Sequence, residues 1–357
     1  MSLFIFDSKK KNIFSSRSFY WYLPAFVFFY LCFLGSFLIF LFHPQPFYFR
    51  SWEYFEEFVF HIPNAKAWDH SEIGDLSRNY LFSYQEQYPT YVSCDSDGFR
   101  SVPIQADSFP ILVVGDSHTW GYGVSDDGTI PWILAKTLHV PVFNGGRYTN
   151  NLPNILGHPR VKKAKVIIEL VAELSLKREL FSQNFHVNEF RGRQKSYFHV
   201  FDVHPKRYFV LFKALRYLNP LTIVHELNHR IRIPQQAVKL NDNETDVMQA
   251  VANIEKRAQI LNEMGYEYIF GIIPNKDFTV SNKKDATSRR LQTMRNAMLE
   301  KRVHFVDLNK IFNEVPDPQK LYLPYDSHIN ANGSALIAQA LAFYLKQSPE
   351  IFSGLSF

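Results

Sequence analysis

One short stretch constrains the fold more than any other: an apolar run that ends in a Gly-Asp-Ser turn. Ile111–Val114 are four apolar residues with no polar alternation, which is typical of a parallel strand buried on both faces. Gly115 permits a sharp backbone turn, and Asp116 and Ser117 follow at the carboxyl end of the strand. Because open α/β sheets bind their ligands at that edge, we expect the Ser117 hydroxyl to face a ligand.

Apolar runs and helical periods alternate along the rest of the chain. Further strands are predicted at Val140–Phe143, Val166–Val171, Tyr268–Ile273 and Val303–Leu308. Helices are predicted at Thr129–Leu138, Thr245–Met264, Ser288–Lys301 and Ser334–Leu345. Repeated strand-helix units predict an α/β fold with a mostly parallel sheet and helices on both faces.

The N-terminal part of the chain predicts a membrane anchor. Phe19–Phe42 has no charged residue and is long enough to cross a bilayer. Three consecutive lysines and Arg17 precede it, which predicts a cytoplasmic N-terminus at 1–18, a transmembrane helix at 19–43 and export of the remainder. A cleaved signal peptide is the alternative, but the run ends in His43-Pro-Gln-Pro rather than in small residues.

Charge and cysteine content narrow the possible partners. The formal net charge of +5 is mild, and no nucleic-acid-binding motif is present, so no nucleic-acid partner is predicted. Of the two cysteines, Cys32 lies within the predicted span and Cys94 is alone outside it, so no intrachain disulfide is expected. No cofactor is predicted.

Two blocks of sequence carry a family resemblance. Gly115-Asp116-Ser117 followed by Thr119, Gly121 and Gly123 resembles the first block of the SGNH (GDSL-type) esterases and acyltransferases. Asp326-Ser-His328, which stands before the last helix, resembles the closing block of the same superfamily. The resemblance implies an SGNH-type three-layer sandwich, placed at 101–350.

The resemblance also implies roles for these residues. Ser117 would be the nucleophile, His328 the general base and Asp326 the group that orients the imidazole. The backbone amides of Ser117 and Gly146 would form the oxyanion hole. Gly146 follows Asn144-Gly145 after the second strand, and its alternative role is turn geometry alone.

The third block of the superfamily, which supplies an oxyanion asparagine, is missing. Its place holds Glu173, and a carboxylate repels an oxyanion. Either Asn150 or Asn151 substitutes as a donor, or the oxyanion hole is smaller than usual. SGNH-like proteins of polysaccharide O-acetylation systems often lack this block too.

Three further residues are predicted to line the substrate site. Asp116 and His118 flank the nucleophile, and His118 is expected to be a wall of the cleft rather than the base. Lys276 lies in a Pro-Asn-Lys stretch that resembles part of the alginate O-acetylation proteins. It would bind an anionic glycan, or be a solvated lysine at a strand end.

The remaining segments leave alternatives open. Residues 44–100 are predicted to be a juxtamembrane and edge segment, ending in an Asp-x-x-Gly-Phe-Arg lead-in that many SGNH proteins carry. The insertion at 176–233 is predicted to cover the sheet, cap the substrate cleft or lie on the membrane. His225-Glu-Leu-Asn-His229 matches a zinc pattern, but prolines bracket it and no third ligand has metzincin spacing, so no metal is predicted.

Together these features predict a membrane-anchored, extracytoplasmic serine O-acyltransferase. It would cross an inner or plasma membrane once, with its catalytic domain in the periplasm or outside the cell, and move acetyl groups onto a cell-envelope or secreted polysaccharide. The resemblance implies that a membrane-bound O-acyltransferase partner supplies the acetyl groups. The alternatives are a carbohydrate or lipid esterase and a non-catalytic glycan-binding or assembly subunit of an O-acetylation complex. A metalloprotease is the last alternative.

Overall fold

A computed structural model provides the coordinates of the protein. The residues it describes are 16–42, 56–57, 60–61, 64, 66–69, 90–146, 152–173, 244–276, 284–301, 303–324, 326–349 and 351. The chain divides into two compact units: residues 1–48 with 204–235 form one unit, and 49–203 with 236–357 form the other. All the described strands lie in the second unit.

Nine strands and eight helices are described. The strands are β1 (Glu56–Glu57), β2 (Phe60–His61), β3 (Lys66–Asp69), β4 (Thr90–Ser93), β5 (Ile111–Gly115), β6 (Val142–Gly146), β7 (Val166–Ala172), β8 (Glu267–Ile273) and β9 (His304–Val306). The helices are α1 (Ser16–Phe42), α2 (Ser117–Trp120), α3 (Ile130–Leu138), α4 (Leu152–Leu156), α5 (Glu244–Glu263), α6 (Lys284–Glu300), α7 (Leu308–Asn313) and α8 (Ala331–Gln347).

Five of these strands form one parallel sheet in the order β6-β5-β7-β8-β9. The chain leaves β5 for β6 on one side and then crosses back to β7 on the other side, so the strand order reverses around β5. At the carboxyl edge, Gly115 pairs with Gly146 on β6 and with Leu170 on β7. This is the topological switch point at which open α/β sheets form a ligand crevice. The predicted α/β class with a parallel sheet is confirmed.

The sheet is buried on both faces because alternate strand residues enter different cores. Leu112 and Val114 of β5 pack in one core with residues of α4, α5 and α6. Ile111 and Val113 pack in the other core with residues of α3, α7 and α8. The continuous apolar run of β5 is therefore a consequence of three stacked layers, helices on sheet on helices.

A buried polar triad crosses the first of these two cores. The guanidinium of Arg257 on α5 donates to both carboxylate oxygens of Glu169 on β7, at 2.7 and 2.9 Å. The hydroxyl of Tyr268 on β8 donates to the same carboxylate at 2.6 Å. Burial and the Glu169 charge raise the pKa of Tyr268 well above its usual value, which keeps it a donor. The triad links a helix to two neighbouring strands.

The N-terminal elements lie outside the parallel sheet. β1 pairs with β2, and β3 pairs with β4, in two antiparallel pairs. Helix α1 covers nearly all of the predicted span at 19–43. Among the residues that the structure describes, no helix combines the length and the apolarity needed to cross a membrane. The membrane anchor therefore stays a prediction.

Several predicted features lie outside the described residues. These are the insertion at 176–233, the His225 and His229 pair, and Asn150 and Asn151.

Candidate active site

The turn that carries Ser117 depends on a close approach between strand and helix. Ser117 is the first residue of α2, immediately after β5 and Asp116. A Cβ atom on Gly115 would lie 2.0 Å from the Leu170 carbonyl oxygen and 2.1 Å from the Thr119 hydroxyl. Only glycine therefore lets α2 fold back onto the neighbouring strand at this point.

Two polar side chains fasten α2 to β7. Asp116 caps the helix by accepting from the His118 amide at 3.0 Å, and its other oxygen accepts from the Ala172 amide at 2.7 Å. The Thr119 hydroxyl donates to the Leu170 carbonyl at 3.2 Å. Asp116, predicted to contact substrate, thus has both carboxylate oxygens on backbone amides, and its substrate contact stays a prediction.

A further pair of residues fastens α2 to β6. The buried side chain of Asn144 donates to the Trp120 carbonyl at 3.4 Å and accepts from the Gly146 amide at 3.0 Å. A Cβ on Gly146 would lie 2.2 Å from the Trp120 nitrogen, so this glycine also serves close packing. The Gly146 amide was predicted to donate to an oxyanion; in the structure it donates to Asn144. For the Gly146 amide to donate to an oxyanion, its hydrogen bond to Asn144 would have to break. The oxyanion role of Gly146 stays a prediction.

The structure brings the three predicted catalytic residues together. Ser117 Oγ lies 2.7 Å from Nε2 of His328, and Nδ1 of His328 hydrogen-bonds Oδ1 of Asp326. Oδ1 of Asp326 also accepts from the His328 backbone amide at 2.8 Å. Because a carboxylate only accepts, the proton belongs on Nδ1, and Nε2 is left to accept the serine proton. This is the arrangement of a nucleophile, its base and the group that orients the base.

Two aromatic rings enclose the imidazole of His328. The His118 ring lies 4.5 Å and the Tyr122 ring 4.3 Å from it, between centroids. Burial, with repulsion from His328, lowers the pKa of His118 to about 4, so His118 is neutral near pH 7. Its Nδ1 accepts from the Ile329 amide at 3.4 Å. These contacts place His118 beside the base, and its role in the wall of the substrate cleft stays a prediction.

A buried arginine supports the loop that presents Tyr122. Arg100 Nε contacts Asp126 at 2.6 Å, and its two terminal nitrogens donate to the carbonyls of Gly121 and Val124 at 3.2 and 2.8 Å. Its guanidinium also lies 4.4 Å from the Trp120 ring centroid. The Asp-x-x-Gly-Phe-Arg lead-in thus ends in a residue that braces the loop following the nucleophile helix.

The ammonium of Lys276, just after β8, contacts the loop that carries Asp326. It donates to the carbonyls of Leu323, Pro324 and Asp326, the last two at 2.7 and 3.0 Å. The sequence predicted a glycan contact or a solvated lysine here. The glycan contact stays a prediction, and these three hydrogen bonds are to backbone carbonyls.

The residues near the missing third block are only partly described. Glu173 follows β7 and is buried at the carboxyl edge of the sheet. Asn150 and Asn151, the suggested substitutes, lie outside the described part of the chain. In the described ranges, no group of three or more His, Cys, Asp or Glu residues is arranged to hold a metal ion.

One family model matches the chain, over residues 234–355: the SGNH hydrolase-like domain of the acetyltransferase AlgX. The match includes Asp326 and His328, and the 2.7 Å contact brings Ser117 of the first motif to this pair. Over residues 234–355 the chain is similar to an SGNH hydrolase-like domain. Its Ser117, Asp326 and His328 have the geometry of a serine-dependent acyl-transfer or ester-hydrolysing site.

Solved structures similar to this chain include a lipolytic protein, a lipase/acylhydrolase and an acetyl xylan esterase. A putative G-D-S-L family lipolytic protein from Desulfitobacterium hafniense is 12% identical with a TM-score of 0.37, and covers 66% of this chain and 98% of its own. A lipase/acylhydrolase from Enterococcus faecalis is 12% identical with a TM-score of 0.38, covering 67% and 96%. The acetyl xylan esterase AlAXEase is 13% identical with a TM-score of 0.36, covering 65% and 97%.

No curated protein matches the chain. The AlgX-like match and the geometry around Ser117 are what indicate a function.

Proposed function

We propose that the chain is a membrane-anchored, extracytoplasmic serine O-acyltransferase that moves acetyl groups onto a cell-envelope or secreted polysaccharide. The observation that carries the chemistry is the 2.7 Å contact between Ser117 Oγ and His328 Nε2, with Asp326 on the other imidazole nitrogen. A free serine hydroxyl is a weak nucleophile, and an oriented base removes that limitation. Acyl transfer or ester hydrolysis is the chemistry that such a site performs.

In the first half-reaction, Ser117 Oγ attacks the carbonyl carbon of an acyl donor while its proton passes to His328 Nε2. The Ser117 amide is the proposed donor to the resulting oxyanion. The bond to the leaving oxygen then breaks, and that oxygen takes the proton from His328. The product is an acyl ester on Ser117, with Asp326 stabilising the imidazolium in between.

In the second half-reaction, an acceptor hydroxyl gives its proton to His328 and attacks the acyl carbonyl. Ser117 Oγ leaves and recovers the proton, so the enzyme returns to its starting state. Transfer and hydrolysis differ only in whether the acceptor is a sugar hydroxyl or water. No redox step occurs. The leaving oxygen carries away the proton that Ser117 gave up, and the acceptor hydroxyl supplies the proton that Ser117 recovers through His328.

Three observations support transfer at a membrane. The matching family model is that of an acetyltransferase, AlgX. The charge-free run 19–42 follows a basic N-terminal segment, which favours anchoring with export of the catalytic unit. The third oxyanion block is absent, as in many SGNH-like proteins of polysaccharide O-acetylation systems. A membrane-bound O-acyltransferase partner would then supply the acetyl groups.

The test measures how acetyl groups divide between glycan and water, using the full-length chain in detergent. Chromogenic 4-nitrophenyl acetate is supplied alone and with short glycan acceptors, with Ser117→Ala as the matched control. The proposal expects acetylated glycan from the wild-type chain only, formed faster than free acetate. Free acetate alone would assign the chain as an esterase. Intact ester with both proteins would favour a glycan-binding or assembly subunit.

A further inference from the structure

We propose that Lys276 is a positioning residue, whose ammonium holds the loop bearing Asp326 and His328 in its catalytic geometry. This inference rests on the proposed function, because the geometry in question is that of the acyl-transfer triad. The loop is the segment from Leu321 to Asn330, called here the His328 loop. Lys276 follows β8, so it lies on a part of the chain remote in sequence from the loop.

Three carbonyl oxygens of the His328 loop converge on one atom. Lys276 Nζ donates to the carbonyls of Leu323, Pro324 and Asp326, the last two at 2.7 and 3.0 Å. An ammonium has three N–H donors and no acceptor, so three converging carbonyls match its capacity. Hydrogen bonds donated by an ionised group are about twice as strong as those between neutral groups.

The loop has a second anchor on the same strand end. The Tyr322 hydroxyl donates to the Pro274 carbonyl at 2.8 Å, two residues before Lys276. Inside the loop, Tyr322 and Ile329 form an isolated antiparallel β-bridge, and the Leu323 amide donates to the His328 carbonyl at 2.9 Å. These bonds close the loop, whereas Lys276 determines where its far side, with Asp326, lies relative to β8.

The position of Asp326 decides the position of the base. Asp326 accepts from both the amide and Nδ1 of His328, so a shift of its backbone moves the imidazole away from Ser117 Oγ. A displacement of about 1 Å in a catalytic group can cost roughly 10²-fold in rate. Loss of the ammonium should therefore lower kcat far more than it alters KM.

The test removes the ammonium and then restores it chemically. Lys276→Cys is made in full-length chain carrying Cys32→Ser, and is treated with 2-bromoethylamine, which rebuilds a lysine-length ammonium. Iodoacetamide gives a side chain of similar length without the charge. The remaining native thiol, Cys94, stays unreactive because burial raises its pKa to about 12. Peptide mapping verifies modification at residue 276 alone.

The untreated variant is expected to lose roughly 10²-fold in kcat with KM little changed, given the cost of a displaced catalytic group. Aminoethylation should restore most of the loss, and carbamidomethylation should not. The matched control is Lys346→Cys on the exposed surface of α8, treated in the same way, with kcat unchanged. Full activity in untreated Lys276→Cys, or equal rescue by both reagents, would overturn the proposal.

A second readout does not depend on catalysis. Hydrogen exchange of peptides covering 321–330 should accelerate in Lys276→Cys and slow again after aminoethylation, while peptides of α3 stay unchanged. An inactive wild-type chain with this exchange pattern would contradict the proposed function and leave the positioning role standing. Unchanged exchange at 321–330 would overturn the positioning role whatever the activity.

Discussion

Ser117 and His328 are 211 positions apart in the sequence, yet Oγ of one lies 2.7 Å from Nε2 of the other. The contact forms because β5 ends at the switch point of the sheet and the His328 loop returns to the same edge just before α8. Asp116, which precedes Ser117, accepts from the Ala172 amide of β7. The loop that carries His328 is bonded to Lys276 and to the Pro274 carbonyl, both just after β8. The pair is therefore arranged before any substrate arrives, which lowers the cost of reaching the transition state.

Asp326→Asn should reduce kcat strongly while the fold is retained. An asparagine can turn its amide nitrogen toward His328, which favours the proton on Nε2 and removes the acceptor for Ser117. The same change of tautomer in a serine protease triad costs roughly 10⁴-fold. The measurement is kcat on 4-nitrophenyl acetate, with circular dichroism as the check on folding. A loss of less than about tenfold would contradict the role given to Asp326.

His118 should make the stability of the protein fall in mildly acidic solution. Burial lowers its pKa from 6.5 to about 4, so between these pH values the unfolded state binds the extra proton. The stabilisation is complete above pH 6.5 and is lost as the pH falls toward 4. It amounts to about 3 kcal/mol, at 1.36 kcal/mol per pKa unit.

The measurement is the free energy of unfolding from urea titrations at several pH values, for the wild type and for His118→Gln. Glutamine stays neutral, so the difference between the two curves isolates His118 from Asp116, Asp326 and the other carboxylates. The wild type should lose stability faster than the variant below pH 6.5. Parallel curves would show that His118 titrates normally and is not buried as described.

Arg257→Met should destabilise the fold without reaching the active site. It leaves the Glu169 carboxylate buried without its cation, which typically costs about 3–5 kcal/mol. Thermal or urea unfolding measures the loss, and Lys256→Met, one residue away and exposed, is the control. The double variant Glu169→Gln with Arg257→Met should recover part of it. An Arg257→Met variant as stable as the wild type would contradict the buried ion pair between Arg257 and Glu169.

Arg100→Lys should impair catalysis indirectly, by loosening the loop that follows the nucleophile helix α2. Lysine keeps the charge but cannot reach Asp126, Gly121 and Val124 together, because it lacks the planar fork of donors. Buried acceptors left without a donor cost about 1–3 kcal/mol each. We expect a lower free energy of unfolding and a reduced kcat. Arg295→Lys, half-exposed on α6, is the control, and equal effects of the two changes would refute this role.

The layers of the fold and the residues that meet at its carboxyl edge could be predicted from the sequence. The apolar run of β5 indicates burial on both faces whatever covers it, and Ser117, Asp326 and His328 stand in motifs that are local in sequence. Strand ends were less accessible: β6 continues through Asn144 to Gly146, where a turn was expected. A polar residue after an apolar run predicts the end of a strand. Asn144 nevertheless lies within β6, because its buried side chain hydrogen-bonds backbone groups of α2 and β6.

Contacts between side chains that are distant in sequence could not be predicted from the sequence. Glu169 interrupts an apolar strand, which signals a buried partner, but periodicity cannot say that the partner lies 88 positions away at Arg257. Lys276 had the same difficulty, since a lysine at a strand end is usually solvated. Its contacts depend on where the His328 loop folds, which is a property of tertiary packing. The lead-in motif, by contrast, flagged Arg100 without revealing what it braces.

Catalysis through an acyl-serine intermediate is tested most directly by asking whether an acyl group becomes attached to Ser117. Full-length protein is mixed with 4-nitrophenyl acetate, quenched in acid within seconds, and examined by intact mass spectrometry and peptide mapping beside Ser117→Ala. We expect one added acetyl group per wild-type chain, located on the peptide containing Ser117, and none on the variant. Ester turnover with no label on Ser117, or equal labelling of both proteins, would contradict it.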